Sequence, residues 1–374
     1  MALNEDQGSL FQEIAPRESG HGVFMLHRAI FLGLILSGAT ASAGTMPAPL
    51  GTVTLPNPDT NAFSTSIRYD SGGTLYAWDG LSIWKQTGAS FTSIGQVPAG
   101  NNADAGPINF SQDGTQIVVS NGDGGWGGGS YNGMIFSLTK AGGNPSAPVG
   151  SVAYNDDLIP VPSSSTITAS ASKYFVDQGN STYNGSSVSV FDSGTGLNTA
   201  VIANIPGASA AMALNSAGTR LYADVGFGAD AGQIRSFSLT DLASAFASNT
   251  PIDFSAGTLF NTITTPQSGA GMFFDKDAYL FVGGDGGVTV FSPNGTQAFV
   301  EDPTGNAYSS LAYNPATDQV LAVPYGAAGS IYNATSFETL VPEPSAALLL
   351  SLAGMFLLLV RARRKWRPVA GGPQ

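Results

Sequence analysis

The 374-residue chain carries a formal charge of −12, 48 glycines and no cysteine. An acidic chain lacks the basic footprint that nucleic acid requires, and one without cysteine has no disulfide and no thiolate ligand. Its two histidines, His21 and His27, lie near the start, so the rest of the chain holds no Ser-His-Asp triad, no cysteine nucleophile and no ordinary zinc site.

Residues 1–24 are polar and mixed in charge, and no apolar period organises them. They are expected to be disordered, an over-long start ahead of the true one at Met25. Met25-Leu26-His27-Arg28 forms a short positive segment, Ala29 to Leu36 an apolar one, and Ala41-Ser42-Ala43 a small-x-small site. This order predicts a secretory signal helix over 25–43, cut after Ala43.

The body, 44–340, holds seven Lys/Arg against 21 Asp/Glu counted to Val341, and among those acids only Glu301 and Glu338 are glutamate. Aspartate and glycine belong to turns rather than helix faces. With little helical period and many β-branched residues, the body reads as all-β. One helix is predicted around Leu239 to Phe246, opened by Thr240-Asp241.

A hairpin pattern recurs at 66–78, 107–120, 211–224, 271–283 and 310–323, with a degenerate copy at 166–177. A further strand follows each, at 81–86, 133–139, 187–196, 232–241, 286–295 and 329–338, and fourth strands are expected at 198–207 and 296–302. The anchors Leu75, Ile117, Tyr174, Leu221, Leu280 and Val320 are 42, 57, 47, 59 and 40 residues apart. That spacing suits a four-stranded propeller blade with loop insertions. The form Phe110-Ser111-Gln112-Asp113-Gly114-Thr115 resembles the hairpin signature of the YVTN and TolB-like propellers. Six copies predict a six-bladed β-propeller; a seventh blade requires a hidden copy within 141–170. Leu50–Pro56 is the candidate outer strand that closes the ring. A β-sandwich or β-helix is the alternative. Phe110, Phe136, Phe191, Tyr222, Phe237 and Phe291 are expected at equivalent places between blades.

Candidate chemistry is confined to carboxylates and loop aromatics. Asp123, in the glycine run 122–129, the pair Asp156-Asp157, and Asp275 with Asp277 offer oxygen ligands of the kind Ca²⁺ takes. No EF-hand or calcium-repeat spacing is present, so these residues read first as turn and loop aspartates and no cofactor is assigned. The glycine run reads first as a flexible or strongly turned loop, and an aromatic there, Trp126 or Tyr131, can stack on a sugar ring. The glycine run has no lysine and is no phosphate cradle.

The chain ends in three parts. Val341, Pro342, Glu343, Pro344 and Ser345 form a hinge that neither helix nor central strand accommodates. Ala346 to Val360 is uncharged, and as a helix at about 1.5 Å per residue it spans roughly 22 Å, a minimal membrane segment. Arg361, Arg363, Arg364 and Lys365 open a basic tail, 361–374, which is expected to stay cytoplasmic. The order resembles the PEP-CTERM sorting signal of Gram-negative bacteria. That resemblance implies an exosortase-type membrane protease as partner, anchorage in the inner membrane, and delivery to the cell envelope, exopolysaccharide or biofilm matrix. The function expected is that of an exported, non-enzymatic propeller binding polysaccharide or protein. The alternative is a calcium-dependent hydrolase, lactonase or lyase working through carboxylates.

Overall fold

The computed structural model describes residues 42–56, 65–98, 105–121, 133–155, 157–167, 172–180, 184–208, 211–228, 231–263, 271–284, 286–305, 308–324 and 328–342. Short runs of alternating apolar and polar residues, broken by Gly, Asp and Asn turns, pair into six mainly antiparallel sheets that form six blades. The first strand of each blade is Ser66–Tyr69, Ile108–Phe110, Leu158–Pro160, Met212–Leu214, Met272–Phe274 and Tyr308–Asn314. Each touches the next, and the last touches the first, so these six strands enclose the channel. The second strands are Leu75–Trp78, Gln116–Ser120, Lys173–Gln178, Arg220–Asp224, Leu280–Gly284 and Gln319–Pro324.

The six anchors are in one register. Tyr69 faces Leu75, Phe110 faces Ile117, Pro160 faces Tyr174, Leu214 faces Leu221, Phe274 faces Leu280, and Tyr313 faces Val320. Sequence spacing therefore located one structural position in every blade. The core is correspondingly divided into six apolar clusters, one in each wedge between consecutive blades. Leu75, Ile117, Tyr174, Leu221, Leu280 and Val320 all face the preceding blade.

Closure uses the start of the body. Gly51–Val53 pairs antiparallel with Gly329–Asn333 as the outer strand of blade 6, as expected for 50–56. Val53 and Leu55 then fill the wedge between blades 6 and 1 with Ile67, Leu75 and Leu321. A second strand, Ser42–Thr45, lies parallel to Gln297–Glu301 on the outside of blade 5. Its backbone includes Ala43, at the expected cleavage site; Ala41 lies outside the described residues.

Several expectations are corrected. The inner strand of blade 3 is Leu158–Pro160, not the stretch at 166, and a long loop separates it from Lys173–Gln178. The 141–170 region holds no seventh blade among its described residues; it supplies the outer strand of blade 2, Gly150–Ser151, and the inner strand of blade 3. The segment 329–338 is half strand and half helix, because Asn333 caps Thr335 N and starts the helix Ala334–Glu338. The helix Leu239–Ser248 is capped by Ser238, whose hydroxyl accepts from Asp241 N, rather than by Thr240. It inserts between strands of blade 4 and buries Leu239 and Leu242 against blade 3. Residues 1–41, the remainder of the tail from Glu343 with Pro344, Ser345 and the span 346–360, and the basic cluster Arg361, Arg363, Arg364 and Lys365 lie outside the described residues. Within the described residues no helix is long and apolar enough to cross a membrane.

The aromatic repeat holds in part. Phe191, Phe237 and Phe291 pair with the anchors Tyr174, Leu221 and Leu280, and Tyr332 with Val320. Phe136 instead pairs with Val119, two residues from the anchor, and Leu138 takes the equivalent place. Phe110 and Tyr222 lie on first and second strands. Phe191 is fully buried between blades 2 and 3 with Val118, Ile135 and Leu158. Its ring packs on Gly150, where an added Cβ would lie 2.6 Å from it. Phe191→Ala should destabilise the fold by about 3–5 kcal/mol in chemical denaturation; a loss below about 1 kcal/mol would contradict this wedge packing.

Candidate functional site

Three residues after each anchor, the second strand reaches one end of the channel. This position holds Trp78, Ser120, Asp177, Asp224, Gly283 and Val323 in blades 1 to 6. Strand alternation turns it away from the anchor's side, toward the following blade. Trp78 confirms the direction, since its Nε1 donates to the Ser120 carbonyl of blade 2 at 2.8 Å. Apolar residues therefore fill this mouth at blades 6 and 1, glycine opens it at blade 5, and acids occupy blades 3 and 4.

The acids are knitted to the backbone. Asp157, just before the inner strand of blade 3, faces Asp177, whose Oδ1 accepts from Asp157 N at 3.0 Å. Asn155 Nδ2 donates to the carbonyls of both Asp157 and Asp177 at 3.0 Å. The Asp157 carboxylate crosses to blade 4, where its Oδ2 accepts from Met212 N at 2.7 Å, and its Oδ1 accepts from Leu158 N at 2.7 Å. Asp224 Oδ1 accepts from Ala211 N at 2.8 Å. From blade 2, Asn109 Nδ2 donates to the Leu158 carbonyl at 2.6 Å.

These bonds leave several polar atoms over. Asp224 Oδ2, Asn155 Oδ1 and Ser120 Oγ are buried without a hydrogen-bond partner. Such atoms are rare in folded proteins and mark places where a ligand or water completes the bonding. Arg68, on the inner strand of blade 1 at the same register as Asn109, lies within electrostatic reach of Asp157. Its guanidinium forms no hydrogen bond or ion pair among the described residues.

Burial dominates the protonation of this site. Desolvation pushes the Asp157 carboxyl up to about 6, against the attraction of Arg68 and two backbone N–H groups. It pushes Asp224 up to about 8; the bond from Ala211 N opposes the shift, while the charges of Asp157 and Asp177 add to it. Desolvation also lowers the Arg68 guanidinium from its usual range, with Asp157 partly restoring it. At neutral pH Asp224 is a neutral carboxyl that can donate as well as accept.

Of the residues singled out from sequence, Asp157 belongs to this site. Asp275 lies at the far end of the channel, where its Oδ1 accepts from Asp277 N and Tyr279 N at 2.9 and 2.8 Å and so shapes a hairpin turn. Asp277 is half-exposed beside it and pairs with Lys276. The two are not neighbours of Asp157. Asp123 and Asp156, with Trp126 and Tyr131, lie outside the described residues. Sequence reading missed Arg68, Ser120, Asn155, Asp177 and Asp224, although the anchor register carries a signal for three of them: Ser120, Asp177 and Asp224 each stand three residues past an anchor.

No family model matches the chain, and no curated protein does. Its fold is similar to solved propeller structures. A gluconolactonase from Xanthomonas campestris aligns over 79% of this chain and 98% of its own at 12% identity, with a TM-score of 0.53. A calcium-binding regucalcin from Agrobacterium tumefaciens aligns over 76% and 87% at 13% identity, TM-score 0.51. Hydrazine synthase from Kuenenia stuttgartiensis aligns over 79% and 82% at 13% identity, TM-score 0.52. The likeness establishes an all-β, six-bladed propeller.

The raised pKa of Asp224 has a consequence for stability. Unfolded, an aspartate loses its proton near pH 3.9; folded, Asp224 keeps it until about pH 8. The folded state therefore binds the extra proton between these values, and this contribution to stability is lost as pH rises through them. Asp224→Asn keeps the acceptor for Ala211 N without the titration. It should melt above the wild type at pH 8, with the gap narrowing at pH 5, as followed by circular dichroism. A gap independent of pH would contradict a buried, protonated Asp224.

Proposed function

We propose that this chain is an exported envelope or matrix protein whose propeller binds an anionic, hydroxyl-rich ligand, such as an acidic polysaccharide, at the mouth formed by blades 1 to 4. The observation that carries this reading is the half-buried Arg68 guanidinium, which lies within electrostatic reach of Asp157 and forms no hydrogen bond or ion pair among the described residues. A sugar carboxylate supplies a directly paired counter-charge for Arg68. Its hydroxyls suit Asp224 Oδ2, Asn155 Oδ1 and Ser120 Oγ, buried and without a partner, through bridging water. Charge-assisted hydrogen bonds of this kind are the strong ones.

Delivery rests on the tail. Pro342, Glu343 and Pro344, the uncharged span 346–360 and the arginine run support sorting through a membrane protease, with the body outside the cytoplasm. The chain leaves the propeller at Val341, which is buried against blade 6, and Pro342, which is exposed.

A second reading is a hydrolase or lyase acting through carboxylates, with Ca²⁺ as cofactor. Two observations favour it. Asp157 and Asp224 are pushed to different values, about 6 and about 8, as an acid–base pair requires. Similar folds include a gluconolactonase and a calcium-binding regucalcin. The carboxylates of Asp157, Asp177 and Asp224 do not converge within 4.8 Å of one another, so a cation here would depend on Asn155 and Ser120 as well.

Calorimetric titration of the full chain in detergent separates these readings. Polygalacturonate should bind and neutral dextran should not, and Arg68→Gln should weaken binding about tenfold or more, the equivalent of about 1.4 kcal/mol. Equal binding of the two polymers, or an unaffected variant, would sink the polysaccharide reading. Turnover of lactones that stops with chelator and with Asp224→Asn would establish the second. Sorting is checked by cell fractionation: Pro342→Ala with Pro344→Ala should hold the chain in the inner membrane, whereas the wild type passes to the envelope or medium.

A further inference from the structure

The turn after the inner strand repeats one device around the ring. Asp70 Oδ1 accepts from Gly72 N and Thr74 N at 2.9 and 2.8 Å, Asn215 Oδ1 from Thr219 N and Arg220 N at 2.8 and 3.0 Å, and Asn314 Oδ1 from Ala316 N at 3.0 Å. Asp275 does the same in blade 5. An aspartate in this role has a second oxygen to satisfy. In blade 1 that oxygen, Asp70 Oδ2, takes Lys140 Nζ of blade 2 at 2.6 Å. In blade 5 the equivalent Asp275 Oδ2 has no donor, although Asp275 is only 2% exposed. It meets Glu338, at the end of the helix Ala334–Glu338, whose Oε1 is likewise buried without a donor.

Two acceptors facing each other away from water repel unless something positive lies between them. Their surroundings deepen the deficit. Asp277 on the same turn and Asp318 on the blade 6 hairpin join Glu338 with one carboxylate oxygen each, all within 4.8 Å. Asp318 is held in place in the left-handed region at φ 56°, with its carboxylate accepting from Tyr313 OH at 2.9 Å and Thr335 Oγ1 at 3.4 Å. Against these four carboxylates stands one ammonium. Lys276 Nζ pairs with Asp277 and lies 3.1 Å from Asp318 Oδ2, on the solvent side and half-exposed. It reaches neither Asp275 Oδ2 nor Glu338 Oε1.

We propose that Asp275, Asp277, Asp318 and Glu338 form a binding site for a hard divalent cation of the Ca²⁺ class, at the end of the channel opposite the candidate ligand mouth. Every donor is oxygen, as such a cation prefers, and the carboxylates come from three separate segments that can adjust to six or more ligands. A bound ion would tie the inner turns of blades 5 and 6 to the last helix, from which the chain runs to Val341 and the tail. The site is independent of the channel reading.

Titrate the full chain with CaCl₂ in a calorimeter, and compare its melting in Ca²⁺ and in EDTA. Binding of a ligand to the folded state alone must raise Tm with ligand concentration. The wild type should bind and melt higher in Ca²⁺. Glu338→Gln and Asp318→Asn should each weaken Ca²⁺ at least tenfold, while Asp224→Asn keeps wild-type affinity. Melting in EDTA shows that each variant folds, and Glu338→Gln should melt no lower there than wild type, having lost a buried like charge. No binding and no shift at millimolar Ca²⁺ overturns the proposal. So does binding that survives both rim substitutions or disappears with Asp224→Asn, since that places the ion in the channel mouth.

Discussion

Each blade of this ring has two apolar faces and is stable only against its neighbours. The anchors point backward into one wedge and the residues three places on point forward into the next, so every blade contributes to two cores at once. Burial of about 25 cal/mol per Å² of apolar surface is thereby shared around a circle rather than gathered in one centre. The arrangement has no natural end, and it works only if the last wedge is filled as well as the others. Val53 and Leu55 supply that filling from the opposite end of the body, beside Ile67 and Leu321.

The channel mouth follows from the same geometry. The forward-facing position is apolar at Trp78 and Val323, which pack into the wedge with the following blade. Polar residues survive there only where backbone groups or a ligand satisfy them. Asp157 and Asp177 meet the first condition through Met212 N, Leu158 N and Asp157 N. Asp224, Asn155 and Ser120 meet it in part, and Asp224 Oδ2, Asn155 Oδ1 and Ser120 Oγ remain buried without a partner. The rim at blades 5 and 6 is a different case. There the turn device places an acid by its backbone bonds, and the second oxygen of that acid meets Glu338 instead of a lysine.

The architecture was legible because periodicity is local. The hairpin anchors, the third strands and the closing strand at 51–53 each announce themselves within about a dozen residues. What failed was set by longer-range demands. The inner strand at 158–160 is only three residues long and is separated from its partner by a loop, so no hairpin pattern marks it. Asn333 ends a strand by starting a helix, a choice made by Phe337 packing into the wedge between blades 5 and 6. Arg68 looked like an ordinary strand residue, because only the ring brings it within reach of Asp157. Asp275 and Asp277 were read as turn residues, which they are; their meeting with Asp318 and Glu338 depends on two blades and a helix lying side by side.

The closing strand also imposes an order of events. Gly51–Val53 is among the first parts of the body to be made, yet its partner, Gly329–Asn333, is among the last. Until that partner arrives, blade 6 lacks its outer strand and Val53 and Leu55 have no wedge to enter. Partial rings with open edges are the aggregation-prone species of such a topology. The fold of this protein is therefore complete only once its last blade has been made.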